Sequence, residues 1–180
     1  MSLGRAGVAR VPERGIVDIN PHSKEWRLNQ GVWVQEGHAP DAYGEPAALI
    51  TERFSGQHRV GDFYRLPCRG VVAFSCEIKP QVGRPWFVIT ANGNIALRST
   101  FRLRPNLDPE ITLQPALRFC RTTASRGEFG YFRLRVQVPD FDGLGFFLVA
   151  TLNLLGDPDY DGNLNLGYHL ARVRMRYLCL

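Results

Sequence analysis

The chain alternates. In GYFRLRVQVP (130–139), Phe132, Leu134, Val136 and Val138 take one phase and Arg133, Arg135 and Gln137 the other. In GVVAFSCEIK (70–79), Val72, Phe74, Cys76 and Ile78 share a face, and in QGVWVQE (30–36) Val32 and Val34 stand opposite Trp33. A repeat of two marks a half-buried strand, because successive side chains leave opposite faces of the pleat. PWFVITANGNIALRSTFRLRP (85–105) sets Asn-Gly between two apolar runs, which predicts a hairpin. GFFLVATLNLL (145–155) is apolar in both phases and predicts a central strand covered on both sides, and ALRFCR (116–121) predicts a further short one. NLNLGYHLARVRMRY (163–177) changes phase partway: Leu164, Leu166, Tyr168 and Leu170 form one set, and Ala171, Val173, Met175 and Tyr177 the other. Such a switch predicts a bulge or a sharp bend near Leu170–Ala171.

Helical patterning is sparse. EPAALITERFSG (45–56) carries Pro46 near one end and Gly56 past the other, which predicts one short helix, and SKEWRLNQG (23–31) predicts a second. No helical period runs beyond about three turns, so strand–helix–strand units are not expected. There is no repeat and no internal linker. About eight short strands joined by turn-rich segments predict an all-β chain: an antiparallel β-sandwich, in jelly-roll form, with one or two short helices in its loops. A partly open barrel is the second choice. Residues 1–14 lack periodicity and carry Arg5, Arg10 and Arg14, which predicts a flexible basic N-terminal arm ahead of a single β-sandwich domain over 15–180.

Composition changes this picture in one respect. The chain has 180 residues, 44% apolar, with a net charge of +5, and of its 22 basic residues only Lys24 and Lys79 are lysines. Arginine offers a planar, permanently charged fork suited to phosphate or carboxylate. A compositional bias of the genome gives the same excess with no function attached. Cys68, Cys76, Cys120 and Cys179 form no close pair, so reduced core thiols are expected rather than a zinc site. No N-terminal apolar run resembles a signal peptide. The longest apolar run, 146–155, falls short of the roughly 20 residues that span a bilayer. A soluble protein made in a cytosol, with no membrane partner, is expected.

Catalytic signatures are missing: there is no G-x-S-x-G, no phosphate loop, no H-E-x-x-H and no dinucleotide fingerprint. His22, His38, His58 and His169 are scattered. No catalytic residue and no enzyme activity is expected. What the sequence does offer is arginine in alternation with apolar residues: Arg102 and Arg104, Arg133 and Arg135, and Arg172, Arg174 and Arg176. If those strands are neighbours, the arginines form a positive sheet face. Such a face binds nucleic-acid phosphates by counterion release without reading sequence. The strands at 130–139 and 163–177 contain no acid to neutralise them. A second signal is DPDYDG (157–162), where Asp157, Asp159 and Asp161 alternate ahead of a glycine and form a candidate Ca²⁺ site. A plain polar turn is the stronger reading of it, since the twelfth position from Asp157 is Tyr168 and not a glutamate.

The basic arm, the turn-rich β body and the final strand GNLNLGYHLARVRMRY resemble the single jelly-roll coat protein of a small positive-strand RNA plant virus, of the bromovirus-like or bacilliform type. The resemblance implies a structural capsid protein whose copies assemble into a shell. It implies single-stranded RNA held by Arg5, Arg10, Arg14 and the sheet arginines, and a place in the virion or, during assembly, the host cytoplasm. Two alternatives stand beside it. One is a ligand-binding β-sandwich such as a carbohydrate-binding module, with Trp26, Trp33 and Trp86 as a flat sugar platform. The other is a cupin-like barrel enzyme.

Overall fold

The computed structural model describes residues 14–18, 28–40, 44, 46–65, 70–81, 83–92, 97–117, 120–139, 144–153, 157 and 159–179. In chain order the strands are β1 (Arg14–Asp18), β2 (Leu28–Gln30), β3 (Val32–Pro40), β4 (Pro46–Glu52), β5 (Gly56–Gln57), β6 (Arg59–Arg65), β7 (Gly70–Pro80), β8 (Trp86–Asn92), β9 (Leu97–Arg102), β10 (Glu110–Leu113), β11 (Arg121–Arg126), β12 (Phe132–Pro139), β13 (Leu144–Leu152), β14 (Asp159–Tyr160) and β15 (Gly167–Cys179). One sheet runs β11-β12-β7-β15-β4-β3, with β1 also paired to β15. The other runs β10-β9-β8-β13-β6-β2, and β14 pairs with β5 apart from both.

Eight of these strands are nested like one long hairpin wound around itself. The innermost pair is β8 with β9, then β7 with β12, β6 with β13, and outermost β4 with β15, all antiparallel. Successive pairs fall on alternate sheets, which is the double-sheet jelly roll that the alternation predicts. The hairpin around Asn-Gly is present as β8 and β9, its turn lying outside the described residues. β13 lies between β8 and β6, a central place in its sheet as expected, with Phe147 and Val149 buried on the core face and Leu148 and Ala150 only partly buried on the other.

The core is the set of inward phases. Phe74 of β7 stacks on Phe147 of β13 with ring centroids 5.0 Å apart, and Phe87 of β8 meets Tyr168 of β15 edge-on at 5.2 Å, so aromatic pairs bridge the two sheets at two levels. Each such pair stabilises by about 0.5–1.5 kcal/mol beyond its burial. At one margin Ser99 and Thr122, both buried, share a hydrogen bond of 2.7 Å, which satisfies hydroxyls that would otherwise be stranded in the core.

Three expectations are corrected. Residues 46–52, expected as a helix, form β4, and 28–30 of the other expected helix form β2; no helix occurs among the described residues. The strand expected over 116–121 begins only at Arg121 and runs to Arg126. The arm expected to end at Arg14 does not include that residue's backbone, because β1 starts there and pairs Arg14 with Leu178. Arg5 and Arg10 lie outside the described residues. No helix of the described residues is long and apolar enough to cross a membrane.

Candidate binding groove

β7 has β12 on one side and β15 on the other, so the arginine-bearing phases of both flanking strands lie on one outer face. Register fixes the neighbours. Ser75 of β7 stands between Arg135 of β12 and Arg174 of β15, Ala73 between Gln137 and Arg176, and Glu77 between Arg133 and Ala171. The bulge falls between Ala171 and Arg174. Ala171 therefore keeps the outward phase of the first half, one residue later than the sequence pattern puts the switch, while Val173 and Met175 turn into the core. Arg172 sits in the bulge with φ +50°. That is the left-handed region, which disfavours a residue with a Cβ and which glycine enters freely.

The result is a trough. Its floor is the short side chains of Ala73 and Ser75, and its walls are longer: Arg133 and Arg135 on one side, Arg172, Arg174 and Arg176 on the other. Thr123 and Ser125 of β11 extend the first wall. The open volume is about 270 Å³, and a further 190 Å³ follows along Arg121, Thr123, Arg135 and Gln137. Among the described side chains, five guanidinium groups line the trough against one carboxylate, Glu77, which accepts a hydrogen bond of 3.0 Å from Arg133 Nε. In β1, Asp18 holds the register position beside Arg174. No aromatic side chain among the described residues lines the trough.

The expected arginine set is therefore divided. Arg133, Arg135, Arg172, Arg174 and Arg176 come together, but Arg102 and Arg104 do not join them. β9 belongs to the opposite sheet, where both residues pair with Glu110, Arg102 at 3.8 Å, and Arg102 also lies over the Trp86 ring at 5.1 Å. The tryptophans do not form one platform either. Trp33 is 58% exposed on β3 at the edge of the first sheet, Trp86 lies on the second sheet, and Trp26 is outside the described residues.

The 157–162 loop closes one end of the sandwich by a different chemistry. Glu52, at the end of β4 and 2% exposed, accepts hydrogen bonds from Arg84 Nε at 2.6 Å and Nη2 at 3.0 Å, from the Tyr160 hydroxyl at 2.9 Å and from Asn163 N at 3.2 Å. The bond to the Glu52 carboxylate holds the Arg84 guanidinium more firmly charged than usual, while burial pushes the Tyr160 hydroxyl up. Tyr160 also stacks on His58, which is fully buried, at 4.3 Å. The three aspartates of the expected calcium site are not gathered. Asp157 Oδ1 accepts from the backbone of Asp159, Asp161 Oδ1 accepts from Ser55, and no cluster of three or more potential ligands occurs among the described residues. Nothing in the sequence joins Glu52 to Arg84 and Tyr160, which lie 32 and 108 positions away.

No family model and no curated protein matches the chain. Among solved structures it is similar to the CBM22-1 xylan-binding domain of Xyn10C from Paenibacillus barcinonensis, with a TM-score of 0.51 and 16% identity over 96% of this chain and 99% of that one. It is also similar, at a TM-score of 0.48 and 11% identity, to the C-terminal CBM6 of the laminarinase LamC from Zobellia galactanivorans, over 89% of this chain and 98% of that one. The near end-to-end match to a carbohydrate-binding module overturns the resemblance to a viral coat protein. The shell of self copies, the single-stranded RNA partner and the virion location fall with it. The physical reason is that capsid and lectin domains share the double-sheet jelly roll, so strand pattern alone does not separate them.

Proposed function

We propose that this chain is a glycan-binding β-sandwich that binds without turnover and holds a polysaccharide chain in the trough above β7. The observation that carries the reading is the trough itself: a floor of Ala73 and Ser75 between two raised rows of hydrogen-bond donors, open along the strands. An extended polymer lies in such a channel, and its hydroxyls meet guanidinium, serine and threonine groups along the walls. The likeness to a xylan-binding domain over nearly all of both chains supports the reading.

Ser75→Trp tests it without altering charge, since an indole on the floor fills the channel. Affinity electrophoresis through gels containing a panel of neutral and acidic polysaccharides should retard the wild-type chain in at least one gel. The variant should run unretarded in that gel. Equal retardation of both proteins would remove the trough as the site.

A further inference from the structure

Resting on the glycan-binding reading, we propose that the trough takes an acidic glycan, one whose repeating units carry carboxylate or sulfate groups. The contrast between the two sheets carries the inference. On the other sheet the close pair formed by Arg102, which ends β9, and Arg104, two residues on, comes with its own counter-charge, as both pair with Glu110. In the trough, Glu77 answers Arg133, but Arg135 and Arg176 reach no carboxylate among the described residues. Like charges gathered on one face repel, both along a strand and across the strand between the two rows, and an anion laid between them removes that cost.

The geometry fits a single extended polyanion. The two walls are separated by one strand, so their rows stand about 10 Å apart, and successive arginines along a row are about 7 Å apart. The acid groups of one chain on the floor are then within reach of forks from both sides. Arginine serves this better than lysine, because its planar fork binds carboxylate or sulfate through two parallel hydrogen bonds. Neutral sugars are commonly gripped by aromatic rings against their apolar faces, and the described residues that line the trough include none. Arg172 adds an independent sign. The bulge holds it at φ +50°, where glycine would remove the strain, yet the position carries a guanidinium that lines the trough.

The test uses the full chain and matched polymer pairs in calorimetric titrations at low salt. One pair is polygalacturonate with its fully methyl-esterified form, the other dextran sulfate with dextran; poly-L-glutamate serves as a polyanion without sugar. The acidic member of at least one pair should bind, its neutral counterpart should not, and poly-L-glutamate should bind at least about tenfold more weakly. Whichever acidic member binds identifies the group as carboxylate or sulfate. Arg135→Gln with Arg176→Gln should weaken that binding about ten- to a hundredfold, with the unfolding temperature unchanged or raised. Salt at about 0.5 M should weaken it as well.

Three results would overturn the proposal, each differently. Neutral polymers binding as tightly as acidic ones, and blocked by Ser75→Trp, would keep the glycan trough and reject its acidic ligand. Poly-L-glutamate binding as tightly as the glycans would reduce the face to a charge patch. Binding to none of these polymers, nor to any of the neutral and acidic polysaccharides in the electrophoresis gels, would reject the glycan reading on which the proposal rests.

Discussion

Glu52 offers the sharpest test of what holds the end of the sandwich. Its carboxylate is almost wholly buried and receives four hydrogen bonds, two of them from Arg84, whose side chain is 12% exposed. Glu52→Gln keeps the size and removes the charge. The Arg84 guanidinium is then buried without a counter-ion, and one amide nitrogen is forced against donors. Breaking a buried pair from one side costs about 3–5 kcal/mol. For a chain of this length that is a fall of about 6–20 °C in unfolding temperature. Replacing both partners removes the stranded charge, so Glu52→Gln with Arg84→Met should be more stable than Glu52→Gln alone, by about 2 kcal/mol in the double-mutant cycle. Urea unfolding followed by tryptophan fluorescence and far-ultraviolet circular dichroism measures all four proteins. A loss below about 1 kcal/mol for the single variant, or no recovery in the double, would refute the claim that this ion pair anchors the 157–163 segment.

Arg172→Gly relieves the left-handed backbone at the bulge, so chemical unfolding should find stability unchanged or raised by up to about 1 kcal/mol while glycan affinity falls; a clear loss of stability would contradict the strain argument. The Tyr168 hydroxyl is buried with no hydrogen-bond partner among the described residues, so Tyr168→Phe should be neutral or stabilising by about 1 kcal/mol, again read by unfolding. Burial pushes Cys76, Tyr160 and Tyr168 up from ordinary values of 9.0, 10.0 and 10.0. The unfolded chain then releases protons that the folded chain retains, so stability is fully present below about pH 9 and declines as pH rises beyond it; a flat profile to pH 11 in differential scanning fluorimetry would oppose this. Because the Asp157 and Asp161 carboxylates are engaged in hydrogen bonds and Glu52 secures the loop, a chelator should shift the unfolding temperature by less than about 1 °C, and a fall of several degrees would restore the calcium reading of Asp157, Asp159 and Asp161.

Much of the sandwich could be read from period-two patterning. β12, β7 and the hairpin of β8 and β9 alternate because one face meets the core and the other does not, and the phase switch in β15 marked its bulge. β4 departs from the helix its pattern predicts for a physical reason. Pro46 and Gly56 bracket it like helix ends, and Ala47 and Ala48 mask alternation because both are fully buried, one on each face. Tertiary packing, not propensity, decides such a segment. The arginine phases of the trough were visible strand by strand, but which strands are neighbours was not. Arg102 and Arg104 had the same local pattern as Arg133 and Arg135, and only the topology sends them to the other sheet. The floor residues Ala73 and Ser75 carry no local signal, because their role comes from the strands on either side.

The most direct measurement is a ¹⁵N–¹H correlation spectrum of the arginine Nε–H groups during titration with oligogalacturonate and, separately, with low-mass dextran sulfate. Binding in the trough predicts that the signals of Arg135, Arg172 and Arg176 move together and saturate, while those of Arg102 and Arg104, held by Glu110 on the other sheet, stay in place. Signals that all drift alike, or that do not move with either glycan, would contradict the account.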